Sequence, residues 1–88
     1  MPYIKDENRN KFKDSIDAIV SDIDSVGDLD FCITTICEKY KEKIGTNFEN
    51  LVKINGTLLF VILENYLRTV HPYEKLKKKE NGDVYTEI

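Results

Sequence analysis

The 88-residue sequence has room for one domain with a single small core, since a chain of this size buries only about 60 to 65% of the surface it exposes when unfolded. With 41% apolar and 33% charged residues, it is too apolar for a disordered chain and too charged for a membrane protein. The net charge of −3 divides as seven basic and ten acidic groups in residues 1–44 and four and three in residues 75–88, so neither end is the polycation that general phosphate binding needs.

Residues 1–8 read as an extended N-terminal arm that turns acidic at Asp6-Glu7. Over residues 9–26 the spacing of Phe12, Ile16, Ile19, Val20 and Ile23 predicts an amphipathic helix with one apolar stripe about 100° wide. Asp6 or Asn8 is placed to cap its start and Gly27 to stop it.

Asp28 offers the next N-cap, and Leu29, Cys32, Ile33, Ile36, Cys37, Tyr40 and Ile44 share one face of a second helix that Gly45 closes. Phe31 is the exception, projecting about 200° away from Leu29.

Thr46 or Asn47 can cap a third helix, which is predicted to run to about Val70, where Pro72 forbids easy continuation. Its apolar residues, from Leu51 through Leu58–Leu63 to Tyr66, Leu67 and Val70, take most of the circumference and leave a strip of Lys53, Thr57, Glu64, Arg68 and His71. Such a helix needs cover from more than one side. Gly56 inside it costs roughly 1 kcal/mol relative to alanine, which points to close packing or a kink. Asn55-Gly56 as a turn is the alternative, and the apolar pattern on both sides favours the continuous helix.

Residues 72–88 are expected to form an extended or hairpin C-terminal tail, because Asn81-Gly82 is a strong hairpin-turn signal. The fold class that follows is all-α, a three-helix bundle-like domain over residues 1–88 with extended termini. The β-formers Tyr3, Ile4, Val84 and Tyr85 suggest a minor strand pairing of the tail.

The longest uncharged apolar run, Leu58 to Leu63, is six residues, far short of the roughly 18 to 20 a membrane span requires. The opening Met1-Pro2-Tyr3-Ile4-Lys5-Asp6-Glu7 lacks the basic start and apolar region of a signal peptide, so a cytoplasmic location is expected. Cys32 and Cys37, five apart on one helix, lie about 140° apart around its axis and are expected as reduced thiols.

Several segments together resemble a known family. These are Met1-Pro2-Tyr3-Ile4, Gly27-Asp28-Leu29-Asp30-Phe31 with Ile33-Thr34, Cys37 and Tyr40, then Gly56, Leu58, Glu64, Tyr66 and Arg68, and finally Pro72-Tyr73-Glu74 and Glu80-Asn81-Gly82-Asp83-Val84-Tyr85. The chain is similar, nearly end to end, to a family of short uncharacterised proteins of prokaryotes and their phages described as a domain of unknown function. The resemblance implies a helical domain in a cytoplasmic setting and brings no catalytic residue. Leu58–Leu63 is more apolar than the family's pattern, which puts any shared oligomeric state in doubt.

Four constellations of side chains bear on chemistry. Cys32, Cys37 and His71 are zinc-type ligands, but zinc motifs place two cysteines two to four residues apart on a turn, so core thiols are the better reading. The acids Asp14, Asp17, Asp22, Asp24, Asp28 and Asp30, with Glu38 and Glu42, suggest a magnesium-dependent enzyme acting on nucleotides. Glu38 and Glu42, however, are interleaved with Lys39, Lys41 and Lys43 as on a solvated face.

The Glu64, Arg68, His71 strip, with Tyr73 nearby, has the makings of a general base. No nucleophile or glycine-rich phosphate loop accompanies it, and a surface ion pair worth about a few tenths of a kcal/mol accounts for it better. Lys75, Lys77, Lys78 and Lys79 beside Tyr73 and Tyr85 form a patch too short to favour nucleic acid.

The sequence as a whole points to a non-catalytic interaction or accessory module that self-associates, or docks another protein, through Phe60, Leu63 and Leu67 with Phe31. Glu64, Arg68, His71 and Tyr73 form the accompanying polar edge. No cofactor, metal or membrane partner is expected.

Overall fold

The computed structural model describes residues 2–86. The protein is all-helical, with α1 (Asp6–Asp22), α2 (Val26–Ile44), α3 (Phe48–Asn65), a π-helical segment (Tyr66–Val70) and α4 (His71–Asn81). The last three follow one another without a break, so three helical stretches account for the fold, each with the one-sided or broad apolar face that a bundle-like arrangement uses. No strand is present among the described residues, and Tyr3, Ile4, Val84 and Tyr85 belong to none. The expected strand pairing of Tyr3 and Ile4 with Val84 and Tyr85 is therefore absent among the described residues.

The chain divides into two units, residues 1–55 and residues 56–88. In the first, α1 starts earlier than the apolar stripe requires. Asp6 and Glu7 occupy its first turn, where carboxylates favour the helix dipole, and Lys5 precedes them without a side-chain cap. The extended arm is correspondingly shorter than the predicted 1–8. It spans Pro2–Lys5, with Arg9 Nε donating to the Ile4 carbonyl at 2.7 Å and Met1 outside the described residues.

The α1–α2 junction also differs from expectation. Gly27 does not stop α1, which ends at Asp22, and Asp28 is not the N-cap. Ser25 is the cap. Its Oγ accepts from the Asp28 amide at 3.1 Å, while Asp28 Oδ2 accepts from the Asp24 amide at 3.0 Å. Ser25 thereby satisfies the Asp28 amide, which the first turn would leave unbonded, and Asp28 in return holds the amide of the residue before the cap. Ionic hydrogen bonding from the Asp24 amide, then from Ser25, holds the Asp28 carboxyl below its ordinary value.

At the α2–α3 junction the expected signals operate. Gly45 closes α2 at φ 97°, a left-handed conformation in which a side chain would be strained, and its amide donates to the Lys41 carbonyl at 2.8 Å. Asn47 Oδ1 accepts from the Asn50 amide at 2.8 Å, and Asn50 Nδ2 reaches back to the Ile44 and Gly45 carbonyls at 3.1 and 2.9 Å. One asparagine caps the incoming helix and the other ties down the outgoing one.

In the second unit the helix does not end at Val70. An α-helix through Pro72 would lose the amide bond to the Arg68 carbonyl and press the proline ring against it. The π turn shifts the bonding register instead: the His71 amide donates to the Tyr66 carbonyl, five residues back, and Thr69 Oγ1 supplies a donor to the Asn65 carbonyl at 2.5 Å. Residues 72–81, expected as an extended or hairpin tail, are thus the body of α4. Gly82 ends α4 at φ 91° with its amide on the Lys78 carbonyl at 2.9 Å, so Asn81-Gly82 closes a helix rather than turning a hairpin. The remaining tail to Thr86 is non-helical, and Glu87 and Ile88 lie outside the described residues.

No described residue is buried in either unit. The stripe of α1 is open, with Ile16 55% exposed, and the face of α2 is half-buried at best, at Cys32, Cys37 and Ile44. No described helix is long and apolar enough to cross a membrane.

Candidate functional site

The densest apolar run of α3 begins at Leu58, half-buried, and continues through Leu59–Leu63, all exposed. Phe60 and Leu63 are i,i+3 neighbours on this helix, and Leu67 follows in the π segment. They are 63%, 47% and 58% exposed, so three large side chains in the same helical stretch present themselves to solvent.

Glu64 lies half-buried at the end of α3, Arg68 stands exposed in the π segment, and His71 opens α4. The π turn brings His71 against Tyr66, with ring centroids 6.1 Å apart and planes at 38°. A shallow groove beside His71 is lined by Glu74, Lys75, Lys78, Asp83 and Tyr85. Asp83 Oδ1 accepts from the Tyr85 amide at 2.9 Å, which turns the tail at the edge of that groove. Tyr73 carries Lys77 Nζ over its ring at 5.6 Å, and Lys77 also bonds Glu80 at 3.2 Å. The lysine run is therefore not one patch. Lys75, Lys78 and Lys79 share one side of α4, and Lys77 is engaged on the other.

Phe31 belongs to the first unit, where it lines a groove with Ile19, Asp22, Ile23, Asp28 and Cys32. Its projection away from the α2 stripe, read from the sequence as an anomaly, places it at the α1–α2 junction. Cys32 and Cys37 are free thiols. No group of three or more His, Cys, Asp or Glu side chains is gathered to hold a metal among the described residues.

Sequence reasoning missed Tyr66 as the partner of His71, because an α-helix places residues five apart on different sides. It also missed the Ser25–Asp28 cap, although Ser-x-x-Asp before an apolar run was there to be read.

Against this geometry, a family profile described as Domain of unknown function (DUF6899) matches residues 1–84. The chain belongs to this family. The DUF6899 match takes in both units and every candidate residue named above, and stops just short of Tyr85. The family description assigns no activity. No curated protein and no solved structure matches the chain.

Proposed function

We propose that this DUF6899 protein is a non-catalytic accessory module that works by self-association through α3, with Phe60, Leu63 and Leu67 at the centre of the contact and Glu64, Arg68, His71 and Tyr73 on its polar edge. The observation that carries the reading is the absence of any buried side chain among the described residues, in helices that carry continuous apolar faces.

Helices in water draw most of their stability from burying such a face. Covering a phenylalanine or leucine contributes roughly 1.5–3 kcal/mol, so burying Phe60, Leu63 and Leu67 from both copies drives association against the entropy lost in joining two molecules. Two free thiols, Cys32 and Cys37, fit a reducing cytoplasmic setting. The Met1–Ile4 and Glu80–Tyr85 segments are the support for a prokaryotic or phage origin.

Light scattering after size-exclusion chromatography, over a wide concentration range, tests the reading. The expected result is a dimer or larger assembly that Leu63→Asp drives to monomer. A wild-type protein that stays monomeric at high concentration, with a melting temperature independent of concentration, overturns it.

A further inference from the structure

Asn-Gly occurs twice in the chain, at Asn55-Gly56 and Asn81-Gly82. In this dipeptide the glycine nitrogen can attack the side-chain amide of the asparagine, because glycine has no Cβ to block the approach. Ring closure requires the asparagine ψ to leave the helical value of about −42°, at which that nitrogen is turned away from the side chain. The two pairs differ in what the rotation breaks.

Asn55 and Gly56 lie inside α3, with helix on both sides. Turning ψ there breaks every helix bond that spans the position, and Asn55 Nδ2 is also held on the Leu51 carbonyl at 2.8 Å. Asn81 is the last residue of α4 and is exposed. After it come only Gly82, already outside helical geometry at φ 91°, and the non-helical tail. The helix bond lost on turning Asn81 is the one from the Gly82 amide to the Lys78 carbonyl, at a helix end where fraying is easiest.

We propose that Asn81 is a site of spontaneous deamidation and that Asn55, in the same dipeptide, is protected. The Gly82 nitrogen gives up its proton to water or hydroxide and bonds to Cγ of Asn81. The Cγ–Nδ2 bond breaks, and Nδ2 takes a proton from water and leaves as ammonia, which closes a succinimide ring. Water then adds to one of the two ring carbonyls and opens the ring, to aspartate by one cleavage and to isoaspartate by the other. Both products set a carboxylate at the C-terminus of α4, where the helix dipole disfavours it. Isoaspartate also lengthens the main chain by one carbon, which takes the Gly82 amide out of register with the Lys78 carbonyl and undoes the end of α4. The reaction needs no partner, so it is independent of self-association.

The test ages the whole wild-type protein at mildly alkaline pH, folded and in denaturant, and follows both pairs by mass spectrometry. Trypsin cleaves after Lys53, Arg68 and Lys79, so the two pairs fall on separate peptides, 54–68 and 80–88. Conversion is read as the mass change from an amide NH2 to a hydroxyl, and isoaspartate from its fragment ions. In the folded protein Asn81 is expected to convert at least about tenfold faster than Asn55, and in denaturant the two rates are expected to converge. Equal rates in the folded protein overturn the inference, as does an Asn81 that stays intact when folded while it converts in denaturant. Gly82→Ala places a Cβ beside the attacking nitrogen and is expected to slow conversion at Asn81 in denaturant, where folding plays no part. An unchanged rate there overturns the succinimide route.

Discussion

Tyr66 and His71 hold their rings 6.1 Å apart although five residues separate them, because the π turn between them winds wider than an α-helix. The turn also carries the helix past Pro72. Replacing that proline removes the need for the wider register. Pro72→Ala is expected to convert Tyr66–Val70 to α-helix, swing the two rings about 140° apart, and raise stability by about 1–3 kcal/mol. Ring-to-ring NMR cross-peaks between Tyr66 and His71 that survive the substitution would show that proline is not the cause.

Asn47 and Asn50 act at one corner on two different helices. Asn47→Ala removes the α3 cap and is expected to cost about 1 kcal/mol. Asn50→Ala releases the Ile44 and Gly45 carbonyls to water, at a cost of about 0.5–1.5 kcal/mol. Denaturant unfolding of the single and double variants is expected to give a non-zero coupling energy, since neighbouring residues at one junction do not act independently.

Asp28 gives the α2 start a pH dependence of known sign. Its folded value is lowered, so the contribution is present in full above the ordinary value of 3.8 and is lost as the pH falls through the folded value. An NMR titration of the Asp28 carboxyl carbon is expected to show a midpoint below 3.8, returning toward 3.8 in Ser25→Ala. Ser25→Ala itself is expected to cost about 1 kcal/mol at neutral pH.

Two glycines are predicted to respond in opposite directions. Gly45 has φ 97°, so Gly45→Ala introduces strain of about 1–2 kcal/mol even though an added methyl meets nothing within 4 Å. Gly56 lies within α3, and there too a methyl meets nothing within 4 Å, so Gly56→Ala is expected to stabilise the helix by about 0.5–1 kcal/mol. Thermal melts compare the two. A loss of assembly in Gly56→Ala despite higher helicity would place a partner helix against this position.

Concentration is the last lever. If apolar faces are covered between copies, the melting temperature rises with protein concentration, and Phe60→Ala or Leu67→Ala flattens that rise. Val26→Ala, at a position 82% exposed on the first turn of α2, is expected to leave it unchanged.

Much of the helical pattern was legible because its signals are local. The apolar stripe of α1, the face of α2, the stop at Gly45 and the Asn47 cap each depend on residues within one or two turns. The continuous helix through Gly56 followed from apolar residues on both sides of it. Pro72 was misread because the rule that proline ends a helix assumes α geometry, and a π turn is the arrangement in which the rule lapses. Asn81-Gly82 was misread for a related reason. A glycine that accepts positive φ serves a hairpin and a helix C-terminus equally, and only the preceding bonds to Lys78 select between them. The candidate site was half legible: Phe60, Leu63 and Leu67 lie in an apolar run too broad for one face, which the sequence displays, while the pairing of His71 with Tyr66 depended on a register shift that periodicity cannot report.

By itself the sequence determined that the protein is helical, which faces are apolar, and where α3 begins, because propensity, capping and periodicity act over a few residues. Only the tertiary structure decided that the third helix continues to Asn81, that Ser25 rather than Asp28 caps α2, and that the apolar faces stay uncovered within each unit. Those outcomes turn on hydrogen-bond register and on which surfaces meet, and both are set by geometry that no short window of residues contains.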